Sequence, residues 1–258
     1  MKRIMLTVAY DGTNYCGWQS EPTGLSVEEV LNKTLSARLG EEIRVKGVSR
    51  TDSGVHALGN LCIFDTESPI PPEKICYAVN EKLPEDIVIR KSEEVPPDFH
   101  PRKCDSLKSY AYTLYHDSLP NPLVRHYTTY YYRRLDTEKM RAAAKYLLGE
   151  HDFSSFCSAG SQVETKVRRI TALEIEEEGT RLCFKITGTG FLYNMVRIIV
   201  GTLLRVGTGF WPPEKVKEIL EARDRQAAGP KAPAEGLCLM QICLYPEGFP
   251  EALTRSWP

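Results

Sequence analysis

Runs of alternating apolar and polar residues and stretches with helical spacing follow one another along this chain in one order, and the order occurs twice. "RIMLTVAY" alternates as a half-buried strand does. "LSVEEVLNKTLSARLG" carries an amphipathic helix opened by a capping box, Ser26 to Glu29, and closed by Gly40. "EIRVKGV" and "NLCIFDT" read as strands, "PPEKICYAVNEKL" as a helix with proline in its first turn, and "DIVIRKS" as a strand. The resulting order βαββαβ is the ferredoxin-like arrangement. After a bridging "PDFHPRKCDS" come the strands "KSYAYTLYH" and "YYYRR", the helix "DTEKMRAAAKYLLG" and the strand pair "VRRITALEIEEE" and "TRLCFKIT". A helix from about Phe191, the helix "PPEKVKEILEAR" and the strand "GLCLMQICLY" complete the second round. The chain is therefore expected to be α+β, with two ferredoxin-like-derived halves, residues 1–103 and 104–258. Their strands are predicted to form one central, mainly antiparallel sheet with helices on one side and a cleft between the halves, where sites tend to form.

Several function classes are excluded at this level. The eight cysteines are scattered without a CxxC pair, so they signal neither a zinc site nor a disulfide framework, and reduced thiols in a cytoplasmic protein are expected. The start "MKRIMLTVAYDG" is interrupted by Asp11 too soon for a signal peptide, and "FLYNMVRIIVGTLLRVG" is broken by Asn194, Arg197 and Arg205, so no membrane segment is predicted. There is no GxxxxGK[ST], GxGxxG, HExxH or GxSxG, and catalysis is expected to need no nucleotide, nicotinamide or metal. A formal net charge of −1 argues against indiscriminate nucleic-acid binding. Charge is nevertheless polarised, with nine Lys/Arg against four Asp/Glu between Arg102 and Lys145, a solvated surface or a binding face.

"VSRTDSGVHALGN" (residues 48–60) is the segment on which chemistry turns. Asp52 and Gly54 in "TDSG" are ordinary turn residues, and equally a carboxylate nucleophile held in a glycine-bearing loop between the strands "EIRVKGV" and "NLCIFDT". Arg50 stands close enough to keep the carboxylate ionised. His56 is a candidate general base or a structural donor. Arg197 lies in an apolar helical stretch, where a buried guanidinium must be paired; it reaches the surface, meets a carboxylate among Glu174 to Glu178, or serves a site. Tyr110 and Tyr112 share one strand face, as core aromatics or as a platform for a flat substrate such as an extruded base. Phe191, Tyr193 and "TTYYYRR" carry the same two readings.

"RTDSGVHALG" resembles the signature of TruA-type tRNA pseudouridine synthases, which is close to GRTDAGVHA. "YDGTNYCGWQ", "DFHPR", "KSYAY", "GEHDFSSF", "GTGFLYNMVRIIVGTL" and "AEGLCL" are similar to further blocks of that family, in family order, over nearly the whole chain. The resemblance implies that Asp52 is the catalytic aspartate, that Tyr110 stacks on the target uracil and that Arg197 pairs with the aspartate. It implies that Arg50 takes part in flipping the base out; Arg50, His56, Arg102 and Tyr110 are the candidate substrate-binding residues. It also implies isomerisation of uridine to pseudouridine at positions 38 to 40 of the tRNA anticodon stem-loop, without a cofactor, by a homodimer that grips one tRNA across both subunits. The chain departs from the pattern at Val48, Ser49 and Ser53, at Glu28 where glutamine is usual, and at Lys231 where threonine is usual.

Two other classes compete. A ferredoxin-like pair is also the frame of plain RNA-binding modules, but the stacked aromatics of an RNP1 motif are not found in that form. A glycoside hydrolase needs two carboxylates at a working separation, and only Asp52 lies in the signature.

Overall fold

The computed structural model describes every residue except 21–23, 161–162, 251–252 and 254–258. Its backbone divides into two units, residues 1–105 with 238–248 and residues 106–237 with 249–258. Both are α+β, and their strands are mainly antiparallel.

In the first unit β1 (Lys2–Tyr10) buries Ile4, Leu6, Val8 and Tyr10, the alternate residues that its pattern marks as inward-facing. It pairs on one side with β3 (His56–Thr66), Lys2 opposite Thr66 and Tyr10 opposite Ala57, and on the other with β4 (Ile87–Val95). The outer edge of β3 is shared by two strands. β2 (Lys46–Gly47) is antiparallel at Ile63 and Cys62, and β10 (Leu237–Tyr245) is parallel at His56 and Ala57. The order β4-β1-β3-β2 is ferredoxin-like, as the sequence pattern predicts.

The helix α1 (Val27–Leu39) has the predicted ends. Ser26 Oγ accepts from Glu29 N at 3.1 Å, and Gly40 is left-handed with φ 72°. Its buried face is Val27, Leu31 and Leu35. The expected strand over "EIRVKGV" contracts to Lys46–Gly47, because side chains of α1 claim the backbone before it. Asn32 Oδ1 accepts from Val45 N at 2.7 Å, and Ser36 Oγ accepts from Ile43 N at 2.8 Å. The helix at "PPEKICYAVNEKL" is a single 3-10 turn, Pro72–Lys74, leading into α2 (Ile75–Asn80).

In the second unit β5 (Asp105–His116) pairs antiparallel with β9 (Arg181–Gly188), β9 with β8 (Val167–Glu178), and β8 with a further strand, β7 (Gly149–Asp152). The strand expected over "YYYRR" is β6 (Thr129–Tyr131), parallel to β5 at Leu114–His116. The helices are α3 (Thr137–Ala144), α4 (Met195–Gly207) and α5 (Lys215–Ala222). α4 starts at Met195 rather than near Phe191, since Asn194 before it is left-handed, with φ 61°. Among the described residues no helix is long and apolar enough to cross a membrane.

Candidate active site

The loop after β2 carries Asp52, and its shape is imposed by the segment that follows β1. Thr51 Oγ1 and the Tyr10 hydroxyl lie 2.7 Å apart, and Asn60 Nδ2 donates both to Tyr10 Oη (3.1 Å) and to Ser49 O (3.0 Å). These buried polar groups satisfy one another, which is the condition for burying them. Trp18 N donates to Thr51 O (3.1 Å), Gly54 N to Tyr15 O (3.3 Å), and Val55 N closes the turn on Asp52 O (3.1 Å). Gly54 is left-handed, φ 77°, as the turn reading of "TDSG" requires.

The approach of the two segments is too close for side chains. A Cβ on Gly12 would overlap Val55 O, and one on Gly17, whose φ is 114°, would fall 2.6 Å from Thr51 O. "YDGTNYCGW" is thus a clamp on the aspartate loop, and Asp52 is held on it half-buried. Tyr10, Thr51 and Asn60 are positioning residues that sequence reasoning missed. The two glycines in the "YDG" block are the signal by which they could have been found.

The other candidate site residues of the first unit fall into two groups. His56 is buried; its Nδ1 meets Gly12 N at 3.0 Å and Asp11 Oδ1 at 3.1 Å. Nδ1 accepts from Gly12 when the ring proton is on Nε2, and donates to Asp11 when Nδ1 itself carries a proton. In either state His56 ties the clamp to the start of β3. Arg50 and Arg102 are exposed instead. Arg102 Nε donates to Gly47 O at 2.9 Å, and Arg102 N donates to His100 Nδ1 at 3.3 Å.

The segment bearing Arg102 is moored by Arg3. Its fork binds both oxygens of Asp65, at 2.7 and 2.9 Å, and its third nitrogen donates to Phe99 O at 3.0 Å. The Arg3 hydrogen bond and charge hold the Asp65 carboxyl below the usual carboxylate range, against the opposing effect of burial. Gly47 has a second role besides receiving Arg102. Trp18 is buried against it, and a Cβ there would overlap the indole. The Trp18 Nε1–H meets no acceptor among the described residues.

Tyr110 and Arg197 belong to the second unit. Tyr110, on β5 opposite Ile186, is buried with its ring edge-on to Phe191, centroids 5.1 Å apart. Tyr112 shares its face but is wholly buried. Its hydroxyl lies 2.7 Å from Thr129 Oγ1 and donates to Pro233 O at 2.9 Å, and burial raises its pKa beyond the usual phenol range. Tyr112 is therefore built into the core, whereas the Tyr110 ring meets another aromatic edge.

Arg197 is buried and is met by backbone and amide groups. Its Nε donates to Ala232 O at 2.7 Å, its Nη1 donates to Asn194 Oδ1 at 3.0 Å, and its own carbonyl accepts from Ala232 N at 3.1 Å. Asn194 also donates from Nδ2 to Ser158 Oγ at 3.0 Å. A non-glycine residue pays about 1–2 kcal/mol for the left-handed conformation. Here that conformation puts one amide between Ser158 and Arg197. Among the described residues no group of three or more His, Cys, Asp or Glu side chains could hold a metal ion.

A family model described as tRNA pseudouridine synthase matches residues 6–102 and 143–246. The chain is 46% identical over 242 residues to tRNA pseudouridine synthase A of Acetivibrio thermocellus, and 48% identical over 242 residues to tRNA pseudouridine synthase A of Clostridium acetobutylicum. It is 43% identical over 242 residues to the protein of that name from Geobacter sulfurreducens. Each match covers 94% of this chain and 99% of the relative.

Proposed function

The chain belongs to the tRNA pseudouridine synthase family, and we propose that it isomerises uridine to pseudouridine at positions 38, 39 and 40 of the tRNA anticodon stem-loop, with Asp52 as nucleophile. The observation that carries the assignment of Asp52 is its mounting. A half-buried carboxylate sits on a turn whose flanking residues are clamped from Tyr10, Tyr15, Trp18 and Asn60. Preorganisation of that kind is what a nucleophile needs and what an ordinary surface turn lacks.

The chemistry suits a carboxylate working without a cofactor. The C1′–N1 bond breaks, a C1′–C5 bond forms, the C5 proton leaves and N1 gains one, so no electrons are gained or lost. Asp52 captures the nucleotide covalently, at C1′ of the sugar or C6 of the base, so that the uracil turns without escaping. Tyr110 stacks on the extruded base and receives the C5 proton, and Arg197 supplies the cation that keeps the carboxylate charged. Arg50 assists extrusion, which costs a few kcal/mol of unstacking and least for loop nucleotides. The same likeness supports a cytoplasmic homodimer that grips one tRNA across both subunits.

The test is tritium release from anticodon stem-loop RNA labelled with [5-³H]uridine. Wild type is expected to release tritium, and Asp52→Asn to bind the RNA and release none. Release by Asp52→Asn at the wild-type rate would remove the nucleophile assignment.

A further inference from the structure

A cavity of about 240 Å³ opens in the first unit beside the aspartate loop, and its walls are cationic. Arg50 stands in one wall, two residues before Asp52; Arg102 and His100 come from the segment moored by Arg3, and Lys46 from β2. Trp18, with its unmatched indole N–H, and Glu28 also line the cavity. The volume is below the roughly 300–1,000 Å³ of pockets that enclose a whole small-molecule ligand. The cavity is therefore sized for one group of a larger molecule.

We propose that this cavity is a phosphodiester subsite, holding one backbone phosphate of the RNA beside the target nucleotide; the proposal rests on the reading of the chain as a tRNA-modifying enzyme. Three fixed cations face one carboxylate, and that carboxylate is engaged, since Glu28 Oε2 accepts from Ser20 N at 3.0 Å. The Arg102 guanidinium is oriented by its Nε bond to Gly47 O, which leaves the two terminal nitrogens of the fork as donors for a phosphate. Gly47 thus supports two residues of the cavity at once, giving its carbonyl to Arg102 and room to the Trp18 indole. A phosphate contact fixes register without reading sequence, so this subsite would position whichever uridine is presented to Asp52.

The experiment is binding of chemically made anticodon stem-loop RNA at several salt concentrations. Each RNA carries one uncharged methylphosphonate linkage, walked through the loop. For wild type one linkage is expected to weaken binding about tenfold when neutralised. With Arg102→Ala, binding to unmodified RNA should fall about tenfold, that linkage should become silent, and the slope of log K against log salt should shrink by about 0.7. Lys82→Ala, an exposed cation outside the cavity, should leave the slope unchanged. The walk on wild type stands even if Arg102→Ala fails to fold.

The cavity proposal is overturned if no linkage behaves this way, or if an abasic substitution instead is silenced by Arg102→Ala, which would make the cavity a base pocket. Tritium release from the unmodified RNA separates the two claims. Release without a sensitive linkage overturns the subsite alone, and a sensitive linkage without release overturns the catalytic reading alone. RNA that does not bind overturns both.

Discussion

Gly201 in α4 and Pro230 in the loop after α5 touch backbone to backbone, so that a Cβ on Gly201 would overlap the proline carbonyl oxygen. The approach is equally tight from the other strand of the contact, where a Cβ on Gly229 would stand 2.7 Å from Gly201 O. Two residues beyond Pro230, Ala232 exchanges hydrogen bonds with Arg197. Gly201→Ala is therefore expected to cost about 3 kcal/mol and to displace the carbonyl that aims the guanidinium. Gly40→Ala is the comparison: its φ is 72° and nothing stands within 4 Å, so only the left-handed strain of about 1 kcal/mol applies. Urea midpoints of the two variants check the difference.

Asn194 separates stability from alignment. Asn194→Gly relieves the left-handed strain while losing the amide between Ser158 and Arg197, so its stability should stay within about 1 kcal/mol of wild type. Turnover should nevertheless fall at least tenfold. Asn194→Ala keeps the strain and loses the bonds, and should be about 2 kcal/mol less stable. Wild-type turnover in Asn194→Gly would show that Arg197 does not depend on this amide.

The two tyrosines of β5 should respond oppositely to loss of their hydroxyls. Tyr112→Phe strands Thr129 and Pro233 O, and is expected to cost about 1–2 kcal/mol with turnover retained. Tyr110→Phe keeps the ring against Phe191, and is expected to slow release of the C5 proton. Thermal melts and tritium release on both variants are the check; full turnover by Tyr110→Phe would restrict that residue to stacking.

The Arg3–Asp65 fork makes stability depend on acid pH. Because the folded carboxyl lies below its ordinary value, the stabilisation is fully present above pH ~4 and is lost as pH falls through the folded value. Both side chains are partly exposed, at 18% and 32%, which limits the pair to about 1 kcal/mol. Asp65→Asn should therefore lie about 1 kcal/mol below wild type at pH 7, with the gap closing toward pH 2. Urea midpoints at both pH values measure it, and a gap that persists at pH 2 would mean that the loss is one of packing.

What could be read along the chain was what local chemistry determines. Ser26, Glu29 and Gly40 mark the ends of α1 because caps act within one turn, and β1 shows its inward residues because its period is 2. β7 escaped because "GEHD" has no alternation and owes its place to pairing with Val167–Ile170. Asp52 and Arg197 stood out by sequence, but how each is held did not. The clamp on Asp52 comes from residues about forty positions earlier, and the acceptor for Arg197 from Ala232, 35 positions later. Close backbone approach at Gly12, Gly17 and Gly201 leaves no periodic trace; a glycine in sequence signals that something comes close without saying what.

The strand that joins β3 four residues after Asp52 is β10, which follows every other described strand along the chain. His56 pairs with Cys238, so residues 1–105 leave the ribosome with the edge of β3 nearest the aspartate uncovered. At roughly 5–20 residues per second that edge waits on the order of 10 to 40 seconds for its partner. During this interval the clamp from Tyr10 to Trp18 is already present, while the neighbouring strand edge is open to other chains. Completion of the aspartate's surroundings is thereby tied to synthesis of β10, and a nascent chain stopped short of β10 would carry the signature without its finished setting.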